Sequence, residues 1–98
     1  MFKSIVPASA IEAYICRNFS AVTLNFNKSF DIHYPTSVDE LKPFTIAFSS
    51  DGQIPDYAKN VGSCLLIFPK IKENIKEEIS TPLILVDNPK LVFITILR

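Results

Sequence analysis

Near its C-terminus the chain carries the stretch Leu83-Ile84-Leu85-Val86-Asp87-Asn88-Pro89-Lys90-Leu91-Val92-Phe93. It opens with an uninterrupted apolar run, which is typical of a strand buried on both faces of a parallel sheet. Asp87 or Asn88 is suited to cap a following helix, and Pro89 fits the first turn of that helix, where a missing N–H costs nothing. A strand that leads directly into a capped helix indicates half of a βαβ unit, so the other half is expected upstream.

Two further apolar runs lie upstream, at residues 44–48 and 64–68, and both are predicted to be strands. The turn residues at 49–52 end the first run, and a short helix is predicted over residues 55–61. Residues 69–82 must then connect the second run to Leu83 as a charged surface crossover. Together these elements predict an open, mostly parallel α/β sheet built from βαβ units with short flanking helices.

The first third of the chain predicts smaller elements. Residues 1–6 are predicted to form a short strand, and the S-x-x-E spacing from Ser9 to Glu12 indicates a capping box for a helix over residues 10–17. Apolar residues alternate over 22–26 and again over 30–34, which indicates two strands, paired as a hairpin or forming one irregular edge.

Two segments that flank the central strands have alternative interpretations. Residues 37–41 repeat the capping-box spacing but precede Pro43, so one short helical turn is predicted there. Residues 89–98 are apolar almost all round, which indicates a helix covered on every side, and their β-branched content also permits a strand. We expect the surface from Leu91 to Leu97 to be covered by a second copy or by a further chain segment.

The amino-acid composition argues against several classes of function. The 98 residues suit one small domain, and 10 basic residues balance 10 acidic ones, so a basic footprint for nucleic acid is missing. With only 2 glycines, a glycine-rich phosphate loop is not expected. A signal peptide is not expected, and no apolar run in the sequence is long enough to span a membrane. Cys16 and Cys64 lie in apolar surroundings and are predicted to be buried, reduced thiols, which favours a cytoplasmic location.

The sequence offers little for catalysis. His33 is the only histidine and lies in an alternating run, which is more typical of an edge strand than of a catalytic base. Neither cysteine has a neighbouring base, Ser49 and Ser50 lack a G-x-S-x-G setting, and no metal-ligand cluster is apparent. No cofactor is predicted, and a complete active site is not indicated.

A binding site is the better expectation, because ligands of open α/β sheets bind beyond the carboxyl ends of the strands. Two loops qualify: residues 49–53 and the pair Asp87-Asn88. The first is flanked by Phe48 and Tyr57, so a planar base could stack on an aromatic ring and hydrogen-bond to the loop. The alternative is that both rings belong to the core and the polar residues only cap backbone groups.

Three segments carry a resemblance to a known family. They are Ser37-Val38-Asp39-Glu40-Leu41-Lys42-Pro43-Phe44-Thr45-Ile46-Ala47-Phe48-Ser49-Ser50, then Val61-Gly62-Ser63-Cys64-Leu65-Leu66-Ile67, then Leu85-Val86-Asp87-Asn88-Pro89-Lys90-Leu91-Val92-Phe93. In order and spacing they resemble the N-terminal, non-repetitive domain of the UDP-3-O-acylglucosamine N-acyltransferases of lipid A biosynthesis. The resemblance covers residues 32–98 and, more loosely, the first helix.

The resemblance implies a small α/β domain, similar to the first domain of the Mur ligases, that holds the uridine of a UDP-sugar. Phe48 matches the family's uracil-stacking aromatic, and Asp51 stands where the family has an asparagine. Ile54 falls at the tyrosine position, with Tyr57 one turn later. We expect Phe48, Ser50, Asp51 and Tyr57 to contact the substrate.

The family's catalytic histidine lies in a β-helix of hexapeptide repeats, and no such repeat is present in residues 1–98. The resemblance therefore implies a single domain that recognises a UDP-sugar and is not catalytic alone. The alternative is an interaction or assembly module that kept the fold and lost the ligand. A Mur-type ligase would need an ATP-binding domain, which these residues do not contain.

Overall fold

The computed structural model describes residues 5–26, 29–70 and 79–97. Within these ranges, seven strands and two α-helices follow one another: β1 Val6–Pro7, α1 Ala8–Asn18, β2 Ala21–Leu24, β3 Asp31–Ile32, β4 Tyr34–Pro35, β5 Thr45–Phe48, β6 Leu65–Pro69, β7 Leu83–Val86 and α2 Pro89–Leu97. Two short 3₁₀ helices, Val38–Glu40 and Asp56–Asn60, precede β5 and β6 respectively.

The main sheet has five strands in the order β2-β7-β6-β5-β4. The neighbours β4 and β5, β5 and β6, and β6 and β7 are parallel, whereas β2 joins the edge of β7 in antiparallel orientation. The predicted α/β class is confirmed, but the sheet is mixed. The short helix predicted over residues 55–61 is present between β5 and β6 as the 3₁₀ helix Asp56–Asn60, so a βαβ unit is not confirmed there. Most of the connection predicted over residues 69–82 lies outside the described residues.

The predicted pairing of the N-terminal strands is wrong. Residues 30–34 do not form one strand beside β2, because β3 pairs with β1 in a separate two-stranded sheet and β4 pairs with β5. The chain passes from the two-stranded sheet to the main sheet at His33, whose N–H donates to the Phe44 carbonyl at 2.8 Å. β2 finds its partner far along the chain, with Val22 opposite Leu85.

Helix α1 is confirmed, but its predicted capping box is wrong. The helix begins at Ala8, so Ser9 lies inside it, and the N-cap residue Pro7 makes no side-chain capping bond. The Ala8 N–H is instead satisfied by the Phe30 carbonyl at 2.9 Å. The residue ahead of β3, the partner strand of β1, thus supplies a backbone acceptor where the sequence pattern indicated a hydroxyl.

The central strands are buried on both faces, as the apolar runs predicted. On one face, Ile46, Ile67 and Ile84 pack with buried residues of α1 and α2. On the other face, Ala47, Leu66 and Leu85 pack with Leu41, Ala58 and Ile79. Because successive strand residues point to opposite faces, one short apolar run per strand supplies both cores.

The start of α2 is as predicted. The Asn88 Oδ1 accepts the Leu91 backbone N–H at 3.1 Å, and Pro89 is the first helical residue. Val92 and Ile96 are buried against the sheet. The opposite face is not covered within the described structure, since Leu91, Ile94 and Leu97 keep 51%, 40% and 39% of their surface exposed.

The two thiols differ. Cys64 is buried, as predicted, and its Sγ lies 3.4 Å from the Val61 carbonyl. Cys16 is exposed, so the prediction that it is buried is wrong. It follows Ile15, which is on the buried side of α1, and one residue rotates the helix by about 100°.

Candidate functional site at the carboxyl edge of the sheet

Polar side chains gather where the parallel strands end. Ser49 follows β5, Lys70 follows β6, and Asp87 follows β7, so three neighbouring strands deliver them to one edge of the sheet. Ser20, which precedes the antiparallel strand β2, arrives at the same edge because Ala21 pairs with Val86. This edge is where open α/β sheets hold ligands.

The loop of residues 49–53 is held in one shape by the Ser49 hydroxyl. That hydroxyl donates to the Gln53 carbonyl at 2.9 Å and accepts the Gly52 N–H at 3.1 Å. The Asp51 Oδ1 lies 3.3 Å from the same hydroxyl and accepts the Gln53 N–H at 2.9 Å. Gly52 has φ 81°, a backbone conformation that glycine adopts without strain. The predicted turn is therefore a preorganised loop, in which Ser50 and Asp51 are exposed.

Phe48 is half-buried and packs against α2. Its ring centroid lies 4.7 Å from that of Phe93, with the planes inclined by 39°. The ring belongs to the core beneath the helices, together with Ile46 and Ile67. The ring is partly exposed, so only the part of it that the core does not cover is available to a ligand.

Tyr57 lies in a different layer from Phe48. It belongs to the 3₁₀ helix Asp56–Asn60, whose buried residue Ala58 packs on the opposite face of the sheet. Its ring is 50% exposed and its hydroxyl donates to the Val38 carbonyl at 3.4 Å. Ile54 packs against that same second core. The structure thus places Phe48 with Ser50 and Asp51, while Tyr57 does not face Phe48 across a common pocket.

Lys70 is the residue that sequence reasoning missed. Its Nζ lies 2.8 Å from the Ser20 Oγ and 3.7 Å from Asp87 Oδ1, and its side chain keeps 27% of its surface exposed. Through these contacts Lys70 links the ends of β2, β6 and β7, and its charged group lies at the centre of the polar edge. A lysine directly after a fully apolar strand was the available signal, because the strand's carboxyl end fixes where that lysine emerges.

Three other features of the described residues concern metal ligands, membrane spans and the single histidine. No group of three potential metal ligands occurs among the described residues. No helix within the described ranges has the length and apolar character needed to cross a membrane. His33, the single histidine, lies beside Phe44 ahead of β5, at the other end of that strand from Ser49.

One cleft is present elsewhere on the molecule. It has a volume of about 420 Å³ and lies at the start of α1, away from the carboxyl edge of the sheet. Glu12 and Asp31 lie on its wall with the rings of Phe26 and Phe30. Two carboxylates beside a helix N-terminus already offset its partial positive charge, so this cleft is a poor site for an anion.

Burial changes the chemistry of the inner thiol. Desolvation raises the pKa of Cys64 to about 12, so the group is a neutral thiol at neutral pH. A neutral, enclosed thiol is a poor nucleophile and a poor metal ligand. Cys64 therefore serves the core and not the site.

Comparison with protein-family models, with curated proteins and with solved structures gives no match for this chain.

Proposed function

We propose that this chain is a recognition domain for a nucleotide sugar, of the kind that the lipid A-type UDP-3-O-acylglucosamine N-acyltransferases carry at their N-terminus, and that it is not catalytic alone. The observation that carries the proposal is the preorganised 49–53 loop at the carboxyl edge of the sheet. A loop whose shape is already fixed loses little conformational entropy when a ligand binds. The sequence resemblance supplies the ligand class, a UDP-sugar.

The exposed groups of the loop suit the polar edge of a uracil ring. Uracil offers one N–H donor between two carbonyl acceptors. Asp51, which stands in place of an amide, is an acceptor-only group when ionised and can take the N–H, whereas the Ser50 hydroxyl can donate to a carbonyl. The half-buried ring of Phe48 would meet one side of the base.

The same arrangement gives a role to Lys70. It is a cation on the strand next to β5, at the edge where a diphosphate attached to the uridine would extend. Its present partners, Ser20 and Asp87, are replaceable, because Asp87 is largely exposed and the ion pair at 3.7 Å is weak. A protonated Lys70 could therefore exchange Asp87 for a phosphate oxygen.

Titration of the ¹⁵N-labelled chain with uridine and with UDP-N-acetylglucosamine tests the proposal. We expect amide shifts over residues 48–53, and tighter binding of the UDP-sugar than of uridine. The matched variants are Ser50→Ala and Asp51→Asn. The asparagine keeps the Oδ1 acceptor and replaces the second carboxylate oxygen with an amide nitrogen. Unchanged spectra at millimolar ligand would remove the nucleotide-sugar function.

A second candidate function is an assembly module that keeps the fold without the ligand. The exposed row of Leu91, Ile94 and Leu97 on α2 favours it, because exposed apolar rows of this kind mark interaction surfaces. Sedimentation velocity separates the two candidates. Association that Leu91→Lys abolishes, together with unchanged spectra in the nucleotide titration, supports the assembly module. We further propose a cytoplasmic location, on the basis of the two free thiols.

A further inference from the structure

Phe44 occupies a backbone position that ordinarily belongs to glycine. It follows Pro43 in a turn and has φ 70°. A proline followed by a residue of positive φ is the pattern of a type II turn, in which glycine or asparagine is preferred at the second central position. For a phenylalanine this conformation is strained, since its Cβ approaches the neighbouring carbonyl oxygen.

The strained backbone is held on both sides. The Phe44 N–H donates to the Ser63 carbonyl at 2.6 Å, and the Phe44 carbonyl accepts the His33 N–H at 2.8 Å. These bonds need only the main chain, so glycine or asparagine would make them equally well. The phenyl ring is therefore not required for the turn.

Core packing does not account for the ring either. Phe44 keeps 43% of its surface exposed and belongs to neither hydrophobic core. Its ring stacks on the imidazole of His33, with centroids 4.9 Å apart and planes inclined by only 13°. The result is a nearly parallel pair of exposed rings at the amino end of β5, with the exposed Tyr34 on the adjoining strand.

From this geometry we propose that the His33–Phe44 ring pair is a stacking platform for the planar ring of a nucleobase, distinct from the site at the 49–53 loop. Phe44 precedes β5 and Ser49 follows it, so the two sites lie at opposite ends of the same strand, about 17 Å apart at the usual rise per residue. A base stacks on an aromatic ring through its π-face and needs no enclosed pocket, which suits two rings that lie open on the surface.

The surroundings of the platform favour a base over an aromatic side chain of a partner protein. Energetically important aromatic residues in protein interfaces lie in packed pockets behind a rim that excludes water. Here the neighbouring residues Asp31, Lys42 and Pro43 are exposed, and two of them are charged. A polar ring edge tolerates such water-filled surroundings, whereas an apolar anchor does not.

Lys42 adds a cation beside the platform. Its Nζ lies 5.4 Å from the centroid of the Tyr34 ring. The neighbouring Tyr34 side chain raises the pKa of Lys42 above its usual value. A base that carries a phosphate should therefore bind at least as well as the free nucleoside.

The test is an NMR titration of the whole chain with adenosine, whose purine offers a large stacking face, and with ribose as the ring-free control. We expect shifts centred on His33, Tyr34 and Phe44 with adenosine and none with ribose. Phe44→Gly should weaken adenosine binding by about 5- to 150-fold, the range that one base–aromatic stack contributes. Phe44→Trp keeps a ring and should retain the binding.

Phe44→Gly also separates binding from folding. Because it removes the strain, we expect it to unfold at the same or a higher urea concentration than the parent chain. Equal adenosine affinity in Phe44→Gly, or shifts confined to residues 48–57, would overturn the platform. Stronger binding of a tryptophan-containing peptide than of adenosine would also overturn it, because the surface would then be a protein contact.

Discussion

The rings of Phe48 and Phe93 lie 4.7 Å apart, so the aromatic residue at the end of β5 is joined to the second turn of α2. This contact connects the candidate binding edge to the helix that follows β7. Phe48 consequently has two possible roles, one in the core and one at the ligand. Substitutions of Phe48 should therefore affect both the stability of the fold and ligand binding.

Phe48→Ala should destabilise the fold by about 2–3 kcal/mol, somewhat less than for a fully buried phenylalanine, because the ring is half-buried. Phe48→Leu keeps most of the apolar volume and should cost about 1 kcal/mol. A double-mutant cycle with Phe93→Ala should give a coupling of about 0.5–1.5 kcal/mol, the usual range for an aromatic pair. Urea unfolding gives the free energy of unfolding of the four chains in the cycle, which are the parent, the two single alanine variants and the double variant. If the losses of the two single variants simply add in the double variant, the ring contact is contradicted.

The central strands could be predicted because their signal is local. Each of β5, β6 and β7 is a short apolar run between turn residues, and burial on both faces follows from that composition. The same holds for α2, where Asn88 and Pro89 mark the start. Local patterns are visible in a single sequence because they need no knowledge of distant partners.

The partner of β2 could not be predicted in the same way. Its pairing with β7 joins residues about sixty positions apart, and nothing in the alternation of Val22 and Leu24 indicates that partner. At the site, the position of the 49–53 loop followed from the strand pattern. The sequence pattern did not predict that Phe48 packs on Phe93 or that Lys70 contacts Ser20. Both contacts depend on how α2 and β2 lie across the sheet.

Thr81 carries a buried hydroxyl with two backbone partners. It donates to the Ala58 carbonyl at 2.6 Å and accepts the Val61 N–H at 3.0 Å, which fastens the 3₁₀ helix Asp56–Asn60 to the residues ahead of β7. Thr81→Val has nearly the same shape but leaves both backbone groups unpaired, so a loss of about 2–3 kcal/mol is expected. Thr81→Ser is the control, since it keeps the hydroxyl and should lose only about 1 kcal/mol. A loss in Thr81→Val no larger than that in Thr81→Ser would mean that the two hydrogen bonds of the hydroxyl contribute no more to stability than the methyl group does.

Asn88 caps α2 through its side-chain oxygen. Asn88→Ala removes the acceptor for the Leu91 N–H and should cost about 1 kcal/mol. Asn88→Asp keeps an acceptor and adds a negative charge at the helix N-terminus, so its stability should equal or exceed that of the parent chain. Thermal unfolding of the three proteins at low salt checks the order, and an aspartate variant as weak as the alanine variant would argue against the cap.

Because the thiol of Cys64 is buried, we expect the chain to lose stability at alkaline pH. Burial raises the pKa of its thiol from 9.0 to about 12 in the folded chain, so between these values the unfolded chain releases a proton that the folded chain retains. The stabilising contribution is therefore complete below pH 9 and declines as the pH rises toward 12. In Cys64→Ala this contribution is missing, so the difference in unfolding free energy between parent and variant should shrink as the pH rises from 8 to 10.5.

Thiol labelling gives an independent measurement of the same burial. A disulfide reagent at pH 8 should modify the exposed Cys16 rapidly and Cys64 only at the rate at which the chain opens. Cys16→Ser leaves Cys64 as the single thiol, so its labelling rate can be followed against urea concentration. Rapid modification of Cys64 in native buffer, or a parent–variant difference that stays constant up to pH 10.5, would show that this thiol is accessible to water and that its pKa is close to the ordinary value.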